Sequence, residues 1–134
     1  MFNRALVRQD GMIREMRAGD GLAANYAPYD LTTDANVALT AGMIASGLIL
    51  RDNMTANRTD TTPTGAELAA AFSGMDIGDT FSFKVLCLDI IQSVILVGGT
   101  GVTVRGIATV ANNTATEFVL LKTGAATFDL IAVP

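Results

Sequence analysis

The stretch after Phe81 restricts the fold more than any other part of the chain. Phe81-Ser82-Phe83-Lys84-Val85 alternates apolar and polar residues, the period of a strand with one buried face. Ser93–Val97, Val102–Arg105, Ile107–Ala111, Thr116–Leu121 and Thr127–Val133 follow as short β-branched runs. Between them stand Gly98-Gly99-Thr100-Gly101, Gly106, Asn112-Asn113 and Thr123-Gly124-Ala125. Glycine and asparagine tolerate the positive φ angles of tight turns, so they punctuate strands here. Strands recurring about every 8–12 residues predict a mainly β fold, an antiparallel β-sandwich or a jelly-roll-like barrel. Gly98–Gly101 is expected to be a hairpin turn.

Upstream, the clearest signal is one short α-helix. Thr64-Gly65-Ala66-Glu67 has capping-box spacing, in which the Thr and Glu side chains satisfy each other's neighbouring amides. Leu68, Ala71 and Phe72 share one helical face, Pro63 blocks extension backwards and Gly74 ends the run, placing the helix at Gly65–Ser73. Thr40 can cap a single turn over Ala41–Ala45, ended by Gly47, and Leu48-Ile49-Leu50 reads as a short buried strand. Leu31–Thr40 is expected to be extended. Arg51–Thr62 shows no periodicity and reads as a long loop.

Residues 1–30 read as an N-terminal arm and residues 31–134 as the β-rich domain. Arg4, Arg8, Arg14 and Arg17 are four of the chain's nine basic residues, interleaved with Asp10, Glu15 and Asp20. Met12, Ile13 and Met16 have the spacing of a short apolar helical face.

Half of the 134 residues are hydrophobic and 16% are charged, against roughly 25% in an average globular domain. So few charges on a chain this size point to surface covered by other subunits, because obligate interfaces are apolar. A net charge of −4 and a pI near 4.5 argue against nucleic acid as a partner. The most apolar window, Val85–Val97, is broken by Asp89, Gln92 and Ser93, so no membrane span is predicted. No continuous apolar segment follows Arg4 and Arg8 to suggest a signal peptide. Cys87 is the sole cysteine and is expected to be a buried structural thiol, consistent with assembly in a reducing cytoplasm.

The chain has no histidine, which removes the commonest general base and zinc ligand. Gly98–Gly101 lacks the lysine and following helix of a phosphate loop. Asp52, Asp60, Asp76, Asp79 and Glu117 are carboxylates of the type that glycoside hydrolysis needs. Most sit beside Gly or Thr in expected loops, and no Trp is present to supply a sugar platform. Asp52, Asn53 and Asp60 match no calcium-loop spacing. No catalytic, cofactor or metal site is therefore predicted. Arg51-Asp52 and Arg58-Thr59-Asp60 carry guanidinium forks that can hold carboxylates with two bonds. They could brace the long loop internally, join it to another subunit, or lie solvated on its surface.

Leu48-Ile49-Leu50-Arg51-Asp52, then Asn57-Arg58-Thr59-Asp60-Thr61-Thr62-Pro63-Thr64, then an Ala-rich helix, resembles small structural proteins of tailed bacteriophages. Phe81-Ser82-Phe83, Gly99-Thr100-Gly101-Val102-Thr103 and the Thr-rich run into Phe118 extend the similarity across roughly Leu39 to Leu121. The resemblance implies a non-enzymatic virion protein: a capsid decoration or cement protein, a homotrimer on the outer surface of the head. Its partner would be the major capsid protein, and assembly would take place in the host cytoplasm. Contact residues expected on that basis are Arg4, Arg8, Arg14, Arg17, Arg51, Asp52, Arg58 and Asp60. A tail or fibre-associated subunit is the alternative. A small carbohydrate-binding or hydrolytic domain is a third.

Overall fold

The structure is a computed structural model and describes residues 4–9, 12–17 and 27–134. Strands β1 (Arg4–Gln9) and β2 (Met12–Arg17) form an antiparallel hairpin. Its register sets Arg4 opposite Arg17 and Val7 opposite Arg14. A helical face at Met12, Ile13 and Met16 is therefore not formed. The hairpin's side chains lie outside what is described.

The body is built on a six-stranded sheet in the order β3 (Tyr29–Leu31), β4 (Leu48–Arg51), β6 (Thr80–Cys87), β10 (Thr114–Gly124), β11 (Thr127–Val133), β8 (Val102–Arg105). A three-stranded sheet, β5 (Arg58–Thr61), β7 (Val94–Val97) and β9 (Thr109–Val110), packs on one of its faces. The mainly β, sandwich-like architecture matches the sequence expectation, but the ladders are mixed. β6, β10 and β11 pair antiparallel, whereas β3 with β4, β4 with β6, β11 with β8, and β5 with β7 are parallel. Parallel neighbours need long crossovers. Residues 52–79, which hold β5 and a helix, supply the one from β4 to β6.

Two helices close the core. α1 (Ala41–Ala45) is the turn expected behind Thr40, whose hydroxyl accepts from the Met43 amide, and Gly47 follows at φ +83°. α2 (Gly65–Ala71) carries the full capping box of Thr64 and Glu67 and stops two residues short of the expected end. Five of the twelve residues of the expected loop Arg51–Thr62 are strand, because Arg51 ends β4 and Arg58–Thr61 form β5.

Gly98–Gly101 is a corner between sheets and not a hairpin. β7 enters it from the small sheet and β8 leaves it in the large one. A side chain on Gly98 would strike the Val102 carbonyl, and one on Gly65 the Ala126 carbonyl. Only glycine lets β7, β8 and the start of α2 approach this closely.

Inward residues alternate as strand geometry requires. Phe83, Val85 and Cys87 of β6, Phe118 and Leu120 of β10, and Phe128 and Leu130 of β11 meet Val94 and Leu96 of β7, with Ile44 and Leu68 from the helices. Phe83 and Phe118, paired across the ladder, stack with centroids 5.5 Å apart. Cys87 is buried, its thiol donating to the Gln92 carbonyl, and burial pushes its pKa up.

Candidate functional site: a buried clamp and an aliphatic sheet face

Arg51 closes β4 on its inward side and Asp60 lies inward on β5, so the two residues face each other between the sheets. Arg51 is 0% exposed and Asp60 is 2% exposed. Arg51 Nε donates to Asp60 Oδ2 at 2.9 Å and Nη2 to Oδ1 at 3.3 Å, a two-bond fork. The remaining donors reach the carbonyls of Thr33 and Ala35, each at 2.6 Å, while Asp60 Oδ1 also accepts from the Val37 amide. A buried charge is tolerable only when paired and hydrogen-bonded, and both ions here meet that condition.

Around this pair, other side chains strap the same extended segment. Asp34 accepts from the Thr55 amide, the Thr55 hydroxyl and Arg58 Nη2. The Thr55 amide, then Arg58 and the Thr55 hydroxyl, lower the Asp34 pKa from 3.8 to about 2. Asn36 accepts from the Thr59 amide, Asn53 donates to the Thr32 carbonyl, and the Asp52 amide donates to the Leu31 carbonyl. Residues 31–37 are thereby fixed along the Asp52–Asp60 stretch.

Two of the expected contact residues, Arg51 and Asp60, are thus buried in the fold. Arg51 and Asp60 are sealed inside their own subunit and cannot touch another; they pair with each other, not with the adjacent Asp52 and Arg58. Arg58 pairs instead with Asp34 at 2.6 Å and is partly exposed, with its Nε buried and unpartnered. Asp52 is half-buried beside β3. Both Asp60 oxygens accept from the Arg51 guanidinium, so its carboxylate is turned into the core and not towards Asp52 and Asn53. Arg4, Arg8, Arg14 and Arg17 lie on the hairpin, and their side chains are outside what is described.

Other carboxylates are engaged in turns and caps. Asp89 accepts from the Gln92 and Ile91 amides, which lower its pKa in that order, and Asp79 accepts from the Asp76 amide. Glu67 caps α2, and the Thr64 amide and hydroxyl lower its pKa.

The second feature is the outward face of the six-stranded sheet. Strand alternation turns Leu48, Leu86, Val119, Leu121, Ile131 and Val133 to that side, all partly exposed. The small sheet and both helices contribute to the core on the opposite side. Register aligns Leu48, Lys84, Glu117 and Val133 as one row across β4, β6, β10 and β11. Ser82, Val119 and Ile131 form the next row. An ion pair of Arg105 and Asp129 at 3.4 Å lies towards the β8 edge.

Sequence reasoning missed this face. The usable signal was the unbroken apolar runs Val119-Leu120-Leu121 and Leu130-Ile131-Ala132-Val133, since adjacent apolar residues in a strand must point to both faces. Asp34 and Asn36 were likewise not singled out, although short polar side chains clustered in an extended segment commonly bind nearby backbone.

No protein-family model matches the chain, and no curated protein or solved structure matches it. The geometry of its own residues therefore carries the functional reading.

Proposed function

We propose that this chain is a structural subunit of a phage particle, a cement-type protein that sits as a trimer on the outside of the head and stabilises the shell. The observation that carries this reading is the aliphatic outer face of the large sheet. A sheet with one solvated face normally alternates apolar-in and polar-out. Here Val119 and Leu121 of β10 and Ile131 and Val133 of β11 turn outward as well, beside Glu117 and Asp129, although the core lies on the inner side. Partly exposed aliphatic residues grouped on one sheet face are the kind of surface that protein contacts use.

The low charge content supports the same reading, because it leaves little to solvate a free monomer. Ile90, Ile91 and Ile107, each more than two-thirds exposed at loop positions, add apolar ground for contact with a shell protein. Three copies held together make each modest contact effectively intramolecular once the first has formed. The motifs that carry the phage resemblance map to the Arg51–Asp60 clamp, the α2 cap and the glycine corner, the parts that hold the two sheets together.

The test is to add purified protein to phage heads stripped of decoration. Binding to the heads with a raised melting temperature is expected. Binding to tails alone would replace this reading with the tail-subunit one, and binding to neither particle would overturn it.

A further inference from the structure

We infer that one end of the sandwich seats this chain on its partner: Leu88, Ile90 and Ile91, with Ile107 beside them, form fixed aliphatic tips that enter pockets on a protein whose rim is basic. The inference rests on the reading of the chain as a subunit carried on a larger protein particle, and it names the part that makes the seat. The ladders gather these residues. β4, β6, β8 and β11 finish, and β10 begins, at the same end of the large sheet, because Arg51 and Thr114 stand opposite Cys87, Val133 opposite Glu117 and Arg105 opposite Ile131. Leu88, Ile90 and Ile91 follow β6 at that end, and Ile107 follows β8. Ile107, 82% exposed, and Ile90 and Ile91, each 74% exposed, are the most exposed large apolar residues among those described.

The first tip is held rigid by its own backbone. Asp89 Oδ1 accepts from the Gln92 and Ile91 amides at 2.7 and 2.8 Å. Asn112 Nδ2 donates to the Ile90 carbonyl at 2.7 Å, and the Asn113 amide to the Asp89 carbonyl at 2.8 Å. The Leu88 amide donates to the Arg51 carbonyl, and the Ser93 amide to Asn57 Oδ1. Such a turn needs Asp89 and asks nothing apolar of the two residues after it. Ile90 and Ile91 belong to no part of the core, yet their main chain is tied down from three neighbouring segments. Apolar groups fixed in place before contact bind without the cost of ordering them.

The surroundings select the partner. From Val85 to Leu121 the chain has one cation, Arg105, and it is paired with Asp129. Asp89 lies in the tip itself, and Asp52 follows the residue that anchors Leu88. An anionic bilayer is recognised by lysine and arginine, which this end does not offer. A flat lipid surface would also leave empty the groove of about 440 Å³ beside Ile107, lined by Ala115, Val133 and Pro134. A second copy of the body would bring like charge, because residues 27–134 hold ten acidic and five basic side chains, a net −5. A protein with aliphatic pockets bordered by lysine or arginine matches both the apolar tips and the carboxylates around them. β6 and β8 are three strand spacings apart, which sets those pockets about 14 Å from each other.

The test uses the full chain and phage heads stripped of decoration, with binding measured by co-sedimentation at low and raised salt and folding followed by circular dichroism. Ile90→Ser with Ile91→Ser, and separately Ile107→Ser, should melt like the wild type and bind about ten- to hundredfold more weakly for each isoleucine removed. Asp89→Asn, whose amide oxygen can still accept the two turn amides, should bind severalfold more weakly and with a flatter salt dependence. Ile77→Ser, equally apolar and 66% exposed at the opposite end of the sheet, should bind like the wild type. Folded isoleucine variants that bind heads as tightly as the wild type would overturn this seat and leave the proposed function intact. Wild-type protein that binds no particle would overturn the reading beneath it. An unchanged affinity and salt dependence in Asp89→Asn would overturn the basic rim. Co-sedimentation with phosphatidylserine-containing vesicles, or self-association in sedimentation velocity, that the wild type shows and the Ile90/Ile91 double variant loses would overturn the protein pocket in favour of lipid or a second copy.

Discussion

Removing either end of the Arg51–Asp60 pair should be among the most damaging substitutions in the body. In Asp60→Ala, Arg51 remains 0% exposed with two carbonyl partners and no counter-charge, and the Val37 amide loses its acceptor. In Arg51→Met, the Asp60 carboxylate stays in the core with one amide, and the Thr33 and Ala35 carbonyls lose their donors. Breaking a buried pair by removing one partner costs about 3–5 kcal/mol. Against a total stability of roughly 5–15 kcal/mol, either variant should be marginal at best. The double variant Arg51→Met/Asp60→Leu removes both charges and leaves three backbone groups to satisfy, at about 1–3 kcal/mol for each that stays buried. Its cost should fall well short of the sum of the two single losses. Guanidinium unfolding of all four proteins, comparing midpoints at constant slope, measures this cycle. Single losses below about 1 kcal/mol, the level of solvated surface pairs, would refute the buried-clamp account. So would a double variant whose loss equals the sum.

Two further outcomes follow from the same framework. Asp34 is held at about 2 against an ordinary 3.8, so its contribution is complete above the ordinary value and drains away as pH falls from roughly 4 towards 2. The Thr55 amide resonance should titrate with a midpoint near 2, and a midpoint near 4 would show that the strap is not formed. Gly65→Ala should destabilise the protein in thermal melts even though alanine is the better helix former by about 1 kcal/mol, because a Cβ there meets the Ala126 carbonyl. A raised melting temperature would contradict the close approach at the corner.

The parts legible in the sequence are those governed by neighbours along the chain. The α2 cap depends on Thr64 and Glu67, three residues apart, and α1 on Thr40 and the Met43 amide, so local pattern suffices. β11 has the expected bounds because the two-residue turn Ala125-Ala126 directly before it joins it to β10 as an antiparallel hairpin. Pairing partners are different. β7 and β8 are separated by the four residues Gly98–Gly101, the signature of a hairpin, yet the close approach of Gly65, Gly98 and Gly99 to backbone turns the chain into the other sheet. No local rule distinguishes a glycine needed for positive φ from one needed because another backbone passes within contact. β5 was similarly hidden, since its inward residue is Asp60, and a strand whose buried position is charged breaks the alternation by which strands are recognised.

The candidate site shows the same division between composition and geometry. Arg51, Asp52, Arg58 and Asp60 drew notice as adjacent Arg-Asp combinations, but the fold exchanges the partners: Arg51 takes Asp60 across the sheets and Arg58 takes Asp34 from the incoming segment. Those exchanges place the clamp at the junction of β3, β4 and β5. It fixes the β3–β4 edge of the large sheet, while the outward rows starting at Leu48 on β4 stand on that same edge. Loss of the clamp should therefore disturb the outer face at its β4 side before the side bounded by β11 and β8. Arg51 and Asp60 thus brace that edge from the inner side of the sheet, behind an outward face that mixes aliphatic residues with Lys84, Glu117 and Asp129.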